Sequence, residues 1–362
     1  MRSAHFATAR RSRLSTDLGK RACAGVTLIE LMIGITIGLL VLSAMAILFA
    51  NSSAVRTELD RSSQQIENGR LALQLLRDDI HQAGYFNGYV GSFRQAVEAC
   101  IPRAGVPLSA AALGWQPALP GTPLPIHGYA AGDTPAAEIC ITNQKPNTDV
   151  LVVRSVDANP LSVAAASTAA SGNDFFLQTS ACADPAVDPI DKPFVVAAGG
   201  SAAAANFILH LRDCVTPAQV RRLVVRAYYV GKCSVCSGSG DGIPSLRMIE
   251  LEGTTATSQS VVEGIDSLRV EYALDTDNNG EVDAIRRCKN GADPCSPADW
   301  NNVMAVRVYL LARNLTPSPG YADNKTYEMG LAGVLAAPGD RYKRHLYSAT
   351  VTAFNQAGPR EK

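Results

Sequence analysis

Hydrophobic and polar positions divide the chain into an uncharged segment near the N-terminus, an amphipathic segment and a long strand-like region. From Leu31 to Ala50 there are 20 residues without a charged side chain, enough for a helix that crosses a bilayer. The helix is predicted to continue over residues 51–84, and Gly84 is placed to end it. Apolar side chains recur there at helical spacing, at Val55, Leu59, Ile66, Leu73, Leu76 and Ile80. This stripe predicts a helix that packs on a partner surface or forms a short coiled-coil seam.

Beyond residue 84 the pattern changes. Residues 85–136 are rich in glycine, alanine and proline, which predicts a loop or insertion. Val261–Leu274 alternates strictly in its second half and predicts one strand with one buried face. Other predicted strands are Glu138–Thr142, Asp149–Val156, Phe175–Thr179, Phe194–Ala198, Asn206–Leu211, Arg221–Val230, Leu246–Leu251, Val303–Ala312 and Tyr347–Phe354. The sequence therefore predicts an α+β fold, with a mostly antiparallel sheet packed on the C-terminal half of a long helix.

The formal net charge of zero hides an asymmetry. Residues 1–25 hold six basic side chains and Asp17, a net of +5, so the rest of the chain carries −5. The positive-inside rule places the basic end on the cytoplasmic side of a membrane. The mildly acidic remainder gives no reason to expect a nucleic-acid partner.

Eight of the nine cysteines follow the apolar segment: Cys100, Cys140, Cys182, Cys214, Cys233, Cys236, Cys288 and Cys295. An even number in this position predicts disulfides in an oxidising compartment. The Cys233-x-x-Cys236 pair fits a structural disulfide, a redox pair, or half of a zinc site that Cys288 and Cys295 would complete. A flexible glycine- and serine-rich stretch follows it, which favours the disulfide. Cys288 and Cys295 are expected to close a small loop.

A nine-residue acidic stretch is the candidate metal site. Asp275, Asp277, Asn279 and Asp283, with the backbone carbonyl of Glu281, occupy the alternate positions that supply oxygen ligands in calcium loops. However, an arginine stands at the twelfth position, where an EF-hand has its bidentate glutamate. An Asn-Gly dipeptide in the same stretch is typical of a polar hairpin turn. The sequence leaves both a Ca²⁺ loop and a hairpin open.

The residues offer little for catalysis. None of the five histidines has a metal-binding spacing, and no nucleophile elbow, P-loop or dinucleotide-binding glycine motif is present. We therefore expect a protein that is not an enzyme.

The stretch from Gly25 through Val26 and Glu30 to Leu31 resembles the processing site of type IV prepilins and type II secretion pseudopilins. The resemblance implies that a prepilin peptidase cleaves after Gly25 and methylates Val26 on its new N-terminal amine. Glu30 would then be an assembly contact, neutralising the N-terminal ammonium of a neighbouring subunit within lipid. Valine at position 26 departs from the usual phenylalanine, and the leader is long. The alternative, an ordinary secretory signal or anchor, is less favoured because its small residues would follow the apolar run.

The continuation from Gln65 to Phe86 resembles PilW-type minor pilins and, more distantly, J-type minor pseudopilins. Trp300–Arg313 and Tyr347–Asn355 resemble the PilW-type pattern too. The resemblance implies a pilin-like architecture with large loop insertions. Its parts would be a leader peptide (1–25), a stem helix (26–84, transmembrane over 26–50 and amphipathic over 51–84) and an extracytoplasmic β-rich domain (85–362).

The resemblance also implies a function. The protein would be a minor pilin that primes pilus assembly and sits at the fibre tip, supporting biogenesis, twitching motility and adhesion. Its partners would be other minor pilins, the major pilin, the inner-membrane assembly platform and a tip adhesin. It would be a single-pass inner-membrane protein with a periplasmic body before assembly, and part of the surface pilus afterwards. The alternatives are a J-type minor pseudopilin of type II secretion and a membrane-anchored adhesin.

Overall fold

The computed structural model describes residues 25–91, 93–101, 106–116, 121–168, 172–253 and 255–360. The chain divides into two compact units, one ending at Thr57 and the other beginning at Glu58. The predicted leader peptide, apart from Gly25, lies outside the described residues.

The first element is a long helix, α1, which spans Leu28–Gln82. It is two residues shorter at each end than the predicted helix over 26–84. Thr27 precedes the first turn, and its hydroxyl accepts the backbone N–H of Glu30. At the other end Gly84 takes a φ of 78°, a left-handed conformation that stops a helix. Among the described residues α1 is the one helix long and apolar enough to cross a membrane, with a mean hydropathy of 2.6 over its most apolar stretch.

The rest of the described chain contains short strands and short helices joined by loops. The strands are β1 Phe93–Gln95, β2 Gly121–Pro123, β3 Ile126–Tyr129, β4 Val150–Val156, β5 Phe175–Thr179, β6 Phe194–Ala198, β7 Val220–Gly231, β8 Ser245–Glu252, β9 Thr255–Glu263, β10 Ile265–Leu274, β11 Ala284–Arg286, β12 Val303–Arg313, β13 Tyr327–Glu328, β14 Val334–Leu335 and β15 Arg344–Thr352. The short α-helices are α2 Val163–Ala166, α3 Ala203–Asn206, α4 Pro297–Asn301 and α5 Phe354–Ala357.

Two antiparallel sheets dominate the unit that begins at Glu58. The larger has seven strands, in which β4 and β5 pair with consecutive parts of β7, and β8 pairs with the opposite side of β7. The outer strands β3, β6 and β9 pair with β4, β5 and β8. The smaller sheet has the order β11-β10-β12-β15. The predicted α+β fold with mostly antiparallel pairing is confirmed; β1 with β2 is a parallel pair.

The largest core cluster joins α1 to both sheets. Ala72, Leu76 and Ile80 on the helix are fully buried. They pack with apolar residues of β10 and β12 in the smaller sheet and of β4 and β7 in the larger one. Burial of a leucine or isoleucine side chain contributes about 1.5–3 kcal/mol. This part of α1 is therefore a structural component of the β-rich unit.

The single strand predicted over Val261–Leu274 is two strands, β9 and β10. Gly264 separates them with a φ of 75°, and a Cβ at this position would lie 2.7 Å from the carbonyl oxygen of Arg313. The prediction of one buried face was also wrong. Leu268 enters the main core, while the carboxylate of Glu271, on the opposite face, is buried as well.

The strand predicted over Glu138–Thr142 is a series of turns. The carboxylate of Glu138 accepts the backbone N–H groups of Ala99 and Cys100, both at 2.9 Å. A disulfide from Cys100 to Cys140 fixes the same segment. These side-chain contacts replace strand pairing.

Residues 206–211 are not a strand either, since only His210 makes an isolated bridge, to Pro217. The backbone N–H of His210 is instead bound by the carboxylate of Asp188 at 2.8 Å. Conversely, the region over 85–136 that was predicted to be irregular contains β1, β2 and β3. Short strands next to proline give too weak an alternating pattern to be recognised in sequence.

All eight cysteines beyond α1 form disulfides between neighbours in sequence. The pairs are Cys100–Cys140, Cys182–Cys214, Cys233–Cys236 and Cys288–Cys295. The pairing leaves no thiolate to bind zinc, so the zinc site considered for Cys233, Cys236, Cys288 and Cys295 does not form in this structure.

Candidate functional site

The residues after the predicted cleavage position form a capping box at the start of α1. The Thr27 hydroxyl accepts the backbone N–H of Glu30 at 3.3 Å. In return, Glu30 Oε2 accepts the backbone N–H of Thr27 at 3.0 Å and its hydroxyl at 2.9 Å. This reciprocal arrangement satisfies donors that a helix N-terminus otherwise leaves unpaired.

Thr27 is therefore a site residue that the processing motif did not single out. The signal was present, because threonine followed three residues later by glutamate is the usual signature of a capping box. The helix dipole also favours a carboxylate in the first turn. Glu30 Oε1 makes no hydrogen bond within the part of the chain that the structure describes, so one carboxylate oxygen is available to a cation from another molecule.

Gly25 and Val26 lie immediately before the capping box and outside the helix. The Val26 side chain is 72 % exposed. A Cβ at Gly25 would meet no atom within 4 Å. Both sides of the predicted cleavage bond are accessible, as a peptidase requires.

The apolar first half of α1 exposes its side chains along its whole length. Every residue from 28 to 50 is exposed, and Gly34 and Gly38 have no neighbouring atom within 4 Å of an added Cβ. A helix this apolar needs lipid or other helices around it. The Gly34-x-x-x-Gly38 spacing therefore has no partner among the residues that the structure describes.

The second half of α1 uses a buried face that the apolar stripe did not predict correctly. The buried residues are Gln65, Gly69, Ala72, Leu76, Asp79 and Ile80. Of the predicted stripe, Leu76 and Ile80 are buried and Leu73 is partly buried. Val55, Leu59 and Ile66 are exposed instead. The face was missed because polar residues and glycine, which have specific partners in the β-rich unit, take the place of apolar ones.

Two contacts fix the helix against strands β12 and β15. The side-chain amide of Gln65 donates to the carbonyl oxygens of Ala312 and Lys343, both at 2.9 Å. Four residues later, a Cβ on Gly69 would lie 2.2 Å from Cε2 of Tyr347. The tyrosine ring therefore packs directly on the helix backbone, and only glycine leaves room for it.

A buried charge network holds the helix to the larger sheet. Asp79 Oδ1 lies 2.8 Å from Arg226 Nη1, and Asp79 Oδ2 accepts the Tyr228 hydroxyl at 2.6 Å. Glu250 Oε2 accepts from Arg226 Nε at 3.0 Å. Burial, reinforced by the charge of Asp79, raises the pKa of Tyr228, so its hydroxyl remains a donor. Asp79, in the stem segment that resembles PilW-type minor pilins, thus has specific structural partners in the larger sheet.

The candidate calcium residues lie in a nine-residue loop between β10 and β11. Carboxylate oxygens of Asp275, Asp277 and Asp283 lie within 4.8 Å of one another. The side-chain oxygen of Asn279 accepts the backbone N–H of Glu281 at 2.7 Å. The structure therefore brings the three aspartates together. The side-chain oxygen of Asn279, by contrast, is already hydrogen-bonded to the Glu281 N–H.

The predicted polar hairpin is present, because β10 and β11 pair antiparallel on either side of the loop, with Leu274 opposite Ala284. The second strand begins at Ala284, so the connection is longer than a two-residue turn. Asn278 and Gly280 have positive φ values of 63° and 91°. The loop backbone wraps around the carboxylate of Asp275, which accepts the N–H of Gly280 at 3.1 Å.

Hydrogen bonds keep this loop anionic. The backbone N–H and hydroxyl of Thr276 lower the pKa of Asp283. Burial alone would raise the pKa of Asp275, but backbone N–H groups, that of Gly280 first, hold it below its ordinary value. Arg360 Nη1 donates to the Asp275 carbonyl oxygen at 3.0 Å and lies 3.5 Å from Oδ2. The three aspartates fit a hard cation, with a fixed positive charge already on one side.

A buried polar cluster beside a cavity of about 250 Å³ was not predicted. His127 Nδ1 lies 2.9 Å from Arg154 Nη1, and the Tyr129 hydroxyl donates to Glu138 at 2.5 Å. Burial, together with the charge of Arg154, holds the pKa of His127 well below its usual value. The imidazole is neutral, and Trp300 lines the cavity next to it. The cluster connects β3 and β4 to the turns at Glu138, and its polar groups form hydrogen bonds with one another.

Comparison with known proteins identifies both ends of the chain. Residues 227–355 match the family model described as Type IV Pilus-assembly protein W. Residues 20–46 match the prokaryotic N-terminal methylation motif, which contains Gly25, Val26 and Glu30. No curated protein matches the sequence significantly. Among solved structures, a type IV-like pilin from Thermus thermophilus is similar over 38 % of this chain and 70 % of its own, with 17 % identity and a TM-score of 0.22.

The two family matches include the processing stretch and the segments Trp300–Arg313 and Tyr347–Asn355 on which the sequence resemblance rested, whereas the stem segment Gln65–Phe86 lies outside both. The methylation motif covers the capping box and the start of the apolar helix. The other match covers the smaller sheet, β8, β9 and the end of β7, including Tyr228, one of the partners of Asp79. A prepilin-type methylation motif at the N-terminus and a region similar to Type IV Pilus-assembly protein W thus lie on one chain.

Proposed function

We propose that this protein is a minor pilin that, with other minor pilins, primes type IV pilus assembly and remains at the fibre tip. The observation that best supports this proposal is the arrangement at the start of α1. A capped carboxylate, Glu30, stands one turn from an accessible Gly25–Val26 bond and is followed by an exposed apolar helix. A subunit of this design is a structural component, in keeping with the pilin class in general.

Processing supplies the charge that Glu30 would bind. A prepilin peptidase acting on the cytoplasmic face would cleave after Gly25 and methylate the amine of Val26. The new N-terminus carries a positive charge at the membrane edge, where an isolated charge is costly. Pairing it with the free Oε1 of Glu30 on a neighbouring subunit lowers that cost. The capping box leaves this oxygen available while it orients the carboxylate.

The same arrangement gives the proposed locations and partners. Before assembly, the apolar part of α1 would cross the inner membrane with the disulfide-bonded body in the periplasm, which is oxidising. After assembly, the protein would be part of the surface pilus and support twitching motility and adhesion. The proposed partners are the other minor pilins, the major pilin, the assembly platform and a tip adhesin.

The specific contacts that hold the second half of α1 against the β-rich unit suit this role. Gln65, Gly69 and Asp79 each make a specific contact with the β-rich unit. A subunit that is drawn out of the membrane by its helix must keep its body attached to that helix. The polar and close-packed contacts along α1 supply this attachment, and a purely apolar stripe would allow the helix to slide.

We also propose that the 275–283 loop binds Ca²⁺ in the calcium-rich environment outside the cytoplasm. The proximity of Asp275, Asp277 and Asp283 supports this. Binding would stiffen the connection between β10 and β11 and make assembly depend on calcium. Arg360 weakens the local negative charge, so we expect affinity typical of extracellular sites, about 10⁻⁴–10⁻³ M.

Deletion of the gene, followed by complementation, tests the proposed function. We expect a strong loss of surface pili and of twitching motility, with secretion of type II substrates unchanged. Normal piliation with lost secretion would assign the chain to a type II secretion pseudopilin instead. Normal piliation and normal secretion, together with lost attachment to cells, would favour a membrane-anchored adhesin.

A further inference from the structure

The Cys233–Cys236 disulfide lies at the turn between β7 and β8, and the proposed assembly role does not use it. Cys233 is buried, with 7 % of its surface exposed, whereas Cys236 is partly exposed. An external thiol therefore has access to one sulfur of the pair and not to the other. This asymmetry is what directs attack in thiol–disulfide exchange.

A guanidinium group is fixed beside the accessible sulfur. Arg247 on β8 places Nη1 3.7 Å from Cys236 Sγ. The same nitrogen donates to the carbonyl oxygen of Ser234 at 2.9 Å, and Nε donates to the Ser258 hydroxyl at 3.0 Å. The stem of Arg247 crosses Gly231, where a Cβ would lie 2.5 Å from Arg247 Cδ. The cation is thus held in place by its neighbours.

The acidic groups nearby have other partners. Glu263 Oε1 accepts the Ser234 hydroxyl at 2.9 Å. The carboxylate of Asp241 accepts backbone N–H groups, including that of Val235 at 2.8 Å. Within the described part of the chain, Arg247 has no ion pair with a carboxylate. Its charge is therefore free to stabilise a thiolate at Cys236, as a neighbouring arginine does at reactive cysteines.

We propose that Cys233–Cys236 is a thiol–disulfide exchange site for a dithiol reductant. One thiolate of the reductant attacks Cys236 Sγ, the Cys233–Cys236 bond breaks, and Cys233 leaves as a thiolate and takes a proton. The second thiol of the reductant then attacks the mixed disulfide and releases Cys236 as a thiolate beside Arg247. The protein gains two electrons, and the reductant becomes a disulfide.

The Cys182–Cys214 disulfide is a natural comparison within the same chain. Both of its cysteines are partly exposed, as Cys236 is. Its surroundings are different, because Cys182 Sγ lies 3.7 Å from the carbonyl oxygen of Asp184. Among the described residues no cationic side chain donates a hydrogen bond to either sulfur. Both disulfides therefore have a partly exposed cysteine, and Cys233–Cys236 differs in its guanidinium and in the burial of Cys233.

Reduction would release a short loop and leave the sheet intact. Gly238, Gly240 and Gly242 in this loop all have positive φ, so the segment has conformations available once the bond opens. The bond closes a ring of few residues and so constrains the unfolded chain less than the other three disulfides do. The exchange site can change state without unfolding the protein.

The test is a redox titration of the full chain in detergent. Samples are equilibrated with increasing concentrations of reduced dithiothreitol at a fixed concentration of oxidised dithiothreitol, alkylated, and mapped by mass spectrometry. We expect Cys233–Cys236 to be reduced at a concentration about tenfold lower than Cys182–Cys214, a difference of about 30 mV for a two-electron couple. Arg247→Gln should abolish most of this difference, and Arg247→Lys should retain it. Equal midpoints in the unsubstituted protein, or an unchanged midpoint in Arg247→Gln, would overturn the proposal.

A second measurement does not depend on the titration. In Cys233→Ser, the rate of iodoacetamide alkylation of Cys236 is followed against pH. We expect its midpoint below the ordinary cysteine value of about 8.5, and a shift to higher pH when Arg247→Gln is added. A midpoint at or above the ordinary value in Cys233→Ser would also overturn the proposal.

Discussion

The carboxylate of Glu30 is bound by Thr27, three residues before it, through both the backbone N–H and the hydroxyl of the threonine. The residue expected to contact a neighbouring subunit thus also caps its own helix. Because the cap occupies Oε2 alone, one oxygen can bind a partner's ammonium while the other keeps the helix start in place. The two roles can be separated by mutation.

Replacing Glu30 by Gln should permit cleavage after Gly25 but reduce incorporation into pili strongly, about tenfold or more. The amide can still accept from Thr27, while the negative charge that pairs with an N-terminal ammonium is lost. Immunoblots of membrane and sheared pilus fractions measure cleavage and incorporation separately.

Thr27→Ala is the matched control. It removes the cap hydroxyl, at a cost of about 1 kcal/mol in helix stability, but keeps the Glu30 charge. We expect incorporation close to that of the unsubstituted protein. If Thr27→Ala were as defective as Glu30→Gln, the capping role alone would explain the need for Glu30, and the assembly contact would have to be abandoned.

Gly69→Ala should destabilise the β-rich unit by about 1–3 kcal/mol, because the new methyl group overlaps the Tyr347 ring. Thermal unfolding in detergent measures the effect. Gly358→Ala is the control, since no atom lies within 4 Å of a Cβ there. Adding Tyr347→Leu to Gly69→Ala should recover part of the loss; strictly additive effects would show that the two residues do not meet.

Asp266→Asn should lower the free energy of unfolding by about 3 kcal/mol at pH 7, since it breaks a buried ion pair. Asp266 Oδ2 lies 2.9 Å from Arg344 Nε, and its other oxygen contacts Lys145. Burial alone would raise the pKa of Asp266, but the charges of Lys145 and Arg344 hold it below the ordinary value.

The sign of the pH effect follows from that lowered pKa. The stabilisation is complete above the unfolded-state pKa of about 3.9 and is lost as pH falls through the folded-state value. The gap between Asp266→Asn and the unsubstituted protein should therefore close on acidification, in urea unfolding followed by tryptophan fluorescence. Asp78→Asn, at an exposed position on α1, should show no such gap. A gap that stays constant down to pH 3 would contradict the assignment.

Millimolar Ca²⁺ should raise the unfolding temperature of the full chain by several degrees if the 275–283 loop binds it. Asp283→Asn should remove this response, because it removes one of the three clustered carboxylates. Asp213→Asn, in an exposed loop outside the cluster, should leave it unchanged. No rise in unfolding temperature with Ca²⁺, or an equal rise in Asp283→Asn, would refute the proposed site.

The fold class and the N-terminal motif could be predicted because both have strong local signals. A run of 20 uncharged residues, a basic leader and alternating segments such as Arg221–Val230 each specify one kind of element. The contact face of α1 could not be predicted in the same way. Its buried positions include Gln65, Gly69 and Asp79, and their partners lie more than 140 residues away in sequence.

The same reason explains the other errors. Asn206–Leu211 and Glu138–Thr142 have strand-like composition. In the first segment, however, Asp188 binds the backbone N–H of His210. In the second, the Glu138 carboxylate accepts the backbone N–H groups of Ala99 and Cys100. Gly264 divides a continuous alternating pattern because Arg313, 49 residues later, approaches its backbone. Periodicity reports local preference, whereas these features depend on contacts made only in the folded chain.

The most direct test of the proposed processing is the N-terminal residue of the mature protein, determined by mass spectrometry of membrane and pilus fractions. We expect a chain that begins at Val26 with one methyl group on its amine. A chain that retains residues 1–25, or one that begins after the apolar segment, would contradict it.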